Sequence, residues 1–183
     1  MNVSGERTFD APRGTVWQVL NDPESMAKTM PGVESFDVHD ERRWTANVKI
    51  PLGLGGLKMK VDMEKIEERE PEFAKLAVKG QGVGAMMNME TSFTLSDADG
   101  GGTSMAWSAE VKILGPVGSM GQRVLQPIVN QQVQHVLAAL EAQVQEAASG
   151  GAPAAHGAEE GISPASPEAY EADPEGPTTS TED

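Results

Sequence analysis

The sequence predicts an α+β domain: a curved antiparallel sheet of about seven strands wrapped on a long C-terminal helix, with two short helices after the first strand. Two observations carry the sheet. In residues 43–50, Trp44, Ala46, Val48 and Ile50 interleave with Arg43, Thr45, Asn47 and Lys49; in 57–64, Leu57, Met59, Val61 and Met63 interleave with Lys58, Lys60, Asp62 and Glu64. Period two sends one set to a core and the other to water, which is how half-buried antiparallel strands are written. A third observation carries the helix. From about Val117 to Ala148, Met120, Val124, Ile128, Val136, Leu137, Leu140 and Val144 recur at three- and four-residue spacing.

In chain order, residues 2–9 read as a strand, and Asp10, Pro12 and the run to Leu20 as a short helix. Asp22-Pro23-Glu24 restarts a second helix with Asp as N-cap and Pro in the first turn, and Pro31-Gly32 ends it. Residues 33–39 read as a strand with little alternation. The strands at 73–80, 85–96 and 103–114 turn inward Leu76 and Val78, then Met87, Met89, Phe93 and Leu95, then Met105, Trp107, Val111 and Ile113. Pro127 kinks the last helix near its first third.

The 183 residues divide unequally, with a domain at 1–148 and an acidic tail at 149–183 rich in Pro, Gly and Ala. The tail holds eight of the 28 acids and none of the 14 bases, which leaves about −6 of the net −14 on the domain. So little apolar surface cannot offset roughly 1–2 kcal/mol per residue of backbone ordering, and the tail is expected to be disordered. No basic stripe marks a nucleic-acid partner. No leader or membrane-length apolar run is evident, and a cytoplasmic protein is expected. With no cysteine, disulfides, thiolate metal sites and cysteine nucleophiles are excluded.

The turns alternate in character. Glycine-rich, uncharged joints (residues 51–56, 80–84 and 115–118) alternate with acidic ones (39–41, 67–72 and 97–100). Successive turns of an up-and-down sheet fall at opposite ends, so one end is charged and the other soft and apolar, the expected mouth of a pocket. Leu52, Leu54, Leu57, Gly80, Gly82, Val83, Gly84, Pro116 and Val117 form the expected gate. Tight hairpins also use glycine for purely steric reasons, but that does not account for the leucines and valines among them. Gly80-x-Gly82-x-Gly84 joins two strands and opens no helix, so it is no nucleotide fingerprint.

Ten methionines stand against four Phe and one Tyr. Met59, Met63, Met87, Met89 and Met105 fall on inner strand faces with Trp107, while Met120 and Val124 cover them from the helix. Such unbranched side chains conform to irregular ligands, though they also fill ordinary cores. Trp17 and Trp44 read as structural; Trp107 is placed to stack on a flat ring. His39, His135 and His156 are too scattered to build a metal site or a triad, and alternation places Glu90 and Glu110 on the wet face. No catalytic or metal-binding residue is assigned.

The order of elements is similar to the START-like (SRPBCC) helix-grip fold. The run from Val16 to Pro23, then Met30-Pro31-Gly32-Val33-Glu34, then Gly115-Pro116-Val117-Gly118 and a glutamine-rich final helix, resemble the CoxG family of carbon monoxide dehydrogenase over about residues 1–147. Val33 stands where many relatives carry Cys, and the joint at 51–56 lacks the basic residues often found there. The resemblance implies a non-enzymatic accessory protein that serves a CO dehydrogenase-type molybdenum hydroxylase as a carrier or a membrane-docking or assembly factor. It would bind a lipophile, a quinone first among those to test, and touch the inner membrane face transiently. Two other readings stay open: an aromatase/cyclase or dehydratase of the same fold, which needs a pocket-facing acid, base or arginine such as Arg7 or Arg123, and a ligand-free assembly factor with a filled core.

Overall fold

Each alternating run becomes a strand in the computed structural model, which describes residues 1–53 and 55–150. The elements are β1 (Asn2–Phe9), α1 (Arg13–Asn21), α2 (Pro23–Thr29), β2 (Val33–Val38), β3 (Arg43–Ile50), β4 (Leu57–Arg69), β5 (Phe73–Gly82), β6 (Ala85–Asp97), β7 (Thr103–Leu114) and α3 (Gln122–Ser149), with 3₁₀ turns at Asp99–Gly101 and Gly118–Met120. The strands form one antiparallel sheet in the order β1-β7-β6-β5-β4-β3-β2. β2 to β7 is therefore a meander of hairpins, and α1 and α2 carry the chain from one edge strand, β1, to the other, β2. This is the helix-grip fold. The expected acidic tail lies outside the described residues from position 151 onward.

Local chemistry explains the boundaries. Asp22 caps α2 by accepting from the Ser25 N–H at 2.8 Å and the Ser25 hydroxyl at 2.7 Å, with Pro23 at the first helical position. β5 runs two residues further than its apolar pattern, to Gly82, because a Cβ there would lie 2.5 Å from the Lys58 carbonyl oxygen; only glycine lets the two strands approach so closely. α3 begins at Gln122 and not at Val117. Gly121, at φ +80°, ends the 3₁₀ turn and restarts the chain as an α-helix, a conformation that side chains resist. The helix continues through Pro127.

Two buried clusters hold the sheet and helices. One gathers Phe9, Val16, Trp17, Leu95, Met105 and Val144, where α1 and the C-terminal part of α3 close on β1, β6 and β7. Trp17 meets Phe93 edge-on, with ring centroids 5.9 Å apart. The other, around Trp44, Val48, Met59, Val61 and Val78, lies on β3, β4 and β5. The buried Thr103 hydroxyl donates to the Ala11 carbonyl at 2.7 Å, and Arg7 of β1 pairs with Glu141 of α3.

A methionine-lined cavity between sheet and helix

The two clusters do not meet in a solid core. Between them, under the N-terminal two thirds of α3, lies a cavity of about 410 Å³, within the range that holds a small organic ligand. Its floor is the concave face of the sheet, which supplies Met59 and Met63 from β4, Met87 and Met89 from β6, and Met105 and Trp107 from β7. Met26 and Met30 enter from α2, so seven of the chain's ten methionines line it. The roof is α3, through Leu125, Ile128, Val129, Gln132, Val133 and Val136.

The glycine joints lie at one end of this cavity. The Val117 N–H donates to the Gly84 carbonyl at 3.0 Å, and a Cβ on Gly82 would stand 3.4 Å from Leu57 Cδ1, so all three joints adjoin. Ile50, Leu52, Leu57, Ile113 and Val117 line the cavity here. At the other end the acidic turns are tied together. Arg13 at the start of α1 reaches Glu72 at 3.6 Å and Asp97 at 3.3 Å, and the Leu95 N–H donates to the Glu72 carbonyl at 2.7 Å.

Other expected site residues stand elsewhere. Met120 and Val124 are exposed and do not line the cavity, because the break at Gly121 starts the helix anew and Leu125 becomes its first inward residue. Gly80 and Gly82 belong to β5 and are paired with Val61 and Met59 of β4, so they are strand positions and not part of a gate. Val83 is 94% exposed at the tip of the Val83-Gly84 turn, Pro116 is exposed beside it, and Leu54 lies outside the described residues.

No charged or histidine side chain is among the residues lining the cavity. Arg7 is engaged by Glu141 and Arg123 is exposed. Among the described residues no group of three or more His, Asp or Glu is placed to hold a metal ion. Two polar groups do break the apolar wall. The amide Nε2 and Oε1 of Gln132 and the indole Nε1 of Trp107 are shielded from solvent without a hydrogen-bond partner among the described residues. Leaving such a group unpaired costs about 1–3 kcal/mol. The indole is held against β1, since a Cβ on its cross-strand partner Gly5 would fall 2.9 Å from Trp107 Cζ2.

The family model for CoxG, the G component of carbon monoxide dehydrogenase, matches residues 5–145. The chain belongs to the CoxG family. Membership makes it an accessory protein and not a catalytic component. No curated protein matches the sequence. Among solved structures this CoxG-family chain is similar to a conserved protein from Geobacillus kaustophilus, at 21% identity and a TM-score of 0.74 over 80% of this chain and 96% of that one. It also resembles a START superfamily protein from Mycobacterium smegmatis, at 16% identity and TM-score 0.60 over 79% and 97%. A third likeness is to the Zhui aromatase/cyclase from Streptomyces sp. R1128, at 13% identity and TM-score 0.61 over 80% and 94%. These likenesses show a shared fold.

Two contributions to the cavity of this CoxG-family chain escape strand alternation. α2 contributes Met26, Thr29 and Met30. Their three- and four-residue spacing just before Pro31-Gly32 was the available signal. Gln132 occupies the gap in the apolar stripe between Ile128 and Val136, four residues from each, where a helix facing a filled core would carry another hydrophobe.

Proposed function

We propose that this CoxG-family accessory protein binds one neutral lipophile in the cavity between α3 and the sheet, a quinone-like molecule above others, and serves a CO dehydrogenase-type molybdenum hydroxylase as carrier or docking factor. The observation that carries the reading is a cavity of about 410 Å³ lined without a charged side chain and largely by methionine. Methionine adapts its three torsions to an irregular guest and contacts ring edges favourably. A fold that needed only a filled core would have closed this space, because a void of that size forfeits packing contacts on all its walls.

Energetics favour a carrier over a store. Burying about ten ligand carbons at ~0.8 kcal/mol each yields roughly 8 kcal/mol from water, a micromolar constant before ordering costs. For a guest drawn from a bilayer most of that gain disappears, because lipid is already apolar, and exchange runs near neutral. The exposed Val83, Met86, Leu114, Met120 and Val124 cluster around the glycine joints, which supports a transient contact of that end with the inner membrane face. No helix among the described residues is long and apolar enough to cross a membrane.

The lining provides no acid, base or arginine to a cyclase or dehydratase mechanism. The test is to extract the purified full chain with organic solvent and identify co-purified molecules by mass spectrometry. Recovery of a quinone or another neutral lipophile in near-stoichiometric amount supports the reading; an empty extract together with no uptake of added quinone rejects it.

A further inference from the structure

We infer that the cavity selects its guest by an uncharged oxygen-bearing head group, a ring carbonyl or a phenol-type hydroxyl, which hydrogen-bonds the Gln132 amide and the Trp107 indole N–H. This rests on the cavity being a lipophile site and specifies what that lipophile must carry.

Five lining side chains can hydrogen-bond: Thr29, Thr91, Ser92, Gln132 and Trp107. Three are already satisfied. Thr29 Oγ1 donates to the Met26 carbonyl at 2.8 Å, Thr91 Oγ1 donates to the Ser108 carbonyl at 3.0 Å, and the Ser92 and Ser108 hydroxyls lie 3.3 Å apart. Gln132 and Trp107 are left with three buried, unpaired atoms among the described residues. Trp44 Nε1 is unpaired too, but it stands in the packed cluster of β3, β4 and β5 and does not line the cavity. Buried polar groups in folded proteins find partners, and those that do not within the protein point to a missing ligand or water.

The atoms left over define the complement. Indole N–H only donates, whereas a primary amide offers a donor and an acceptor and can turn to present either. A carbonyl oxygen accepts from both side chains. A hydroxyl accepts from the indole and donates to Gln132 Oε1, so a quinone and its quinol can be held by the same pair. Hydrocarbon leaves the amide unpaired. A carboxylate or phosphate brings a charge that no lysine, arginine or histidine in the lining balances. Trp107 is also preorganised, because its indole lies flat on Gly5, where any side chain would displace it.

The experiment is calorimetric titration of the full-length chain with three probes: decylubiquinone, n-decylbenzene and decanoate at a pH where the acid is ionised. The wild type is expected to bind decylubiquinone and decylbenzene and to leave decanoate free. Gln132→Leu should weaken decylubiquinone about tenfold while decylbenzene changes by less than about twofold. Trp107→Phe should act in the same direction. Gln132→Leu should also raise the thermal midpoint of the ligand-free protein, because it removes an unpaired amide, and Gln132→Met repeats the comparison should the branched side chain disturb packing. Unchanged decylubiquinone affinity in these variants, a parallel loss for decylbenzene, or tight decanoate binding would overturn polar head-group selection while leaving a lipophile site in place. A wild-type chain that takes up no probe overturns the lipophile site and this inference with it.

Discussion

At the scale of single residues the cavity is made of groups that do not titrate. The carboxyl of Asp40 is held below the ordinary carboxylate range by its hydrogen bond from Arg43, and that of Glu110 by Lys112, while Glu90 raises the Lys75 ammonium. Asp40 and Glu110 are exposed and Lys75 is half-buried, and none of the three lines the cavity. The two lowered carboxyls contribute stability above their ordinary range that fades as the pH falls through their lowered pKa values. The raised lysine contributes below its ordinary range and loses that as the pH rises through its raised one. Between pH ~6 and ~9 neither change operates, so affinity for decylubiquinone should be flat across that window. A step near the histidine range in a set of titrations at graded pH would contradict the apolar lining. The methionines and Trp107 were legible because alternation assigns a face to every strand residue. Gln132 was not, since a polar residue on a helix looks like a solvent-facing one until the stripe on both sides of it is known to turn inward.

At the scale of elements, α3 does two jobs along one length. Its C-terminal part is packed against α1 and β1, with Val144 1% exposed, whereas Ile128 and Val129 look into the cavity. Truncation should therefore cost least where more is removed. Val144→Ala deletes two carbons from a filled cluster and should destabilise by about 2 kcal/mol, and Ile128→Ala deletes three from a wall with no facing atoms and should cost less than about 1 kcal/mol. Urea denaturation of the ligand-free variants measures both; equal or reversed costs would mean that the helix roofs no void. Most of the sheet could be read from period two and turn chemistry. β4 and β5 run further than expected for opposite reasons. β4 extends through the polar Lys65–Arg69, where Lys65 is buried against Glu68 at 2.9 Å and lies 5.9 Å from the Trp44 ring centre, and β5 through glycines that read as a turn. The start of α3 was misplaced because the break at Gly121 depends on a backbone angle that no hydrophobic period records.

At the scale of the whole molecule, residues with opposite tasks are sorted to opposite ends of the sheet. The acidic turns are cross-linked by Arg13, and the glycine joints carry an exposed apolar rim. If that rim meets lipid, Val83→Asp combined with Met86→Glu should slow delivery of decylubiquinone to liposomes severalfold while equilibrium affinity in solution holds, because charges at a surface disfavour insertion into hydrocarbon without touching the cavity. A fluorescence transfer assay that shows no change in rate would remove the rim from the exchange step. The most direct test of a hollow, apolar interior is the heat capacity of binding, measured by titrating the full chain with decylubiquinone at several temperatures. One guest per chain with a distinctly negative heat-capacity change is the expected result; the absence of a saturable site, or a heat-capacity change near zero, would contradict it.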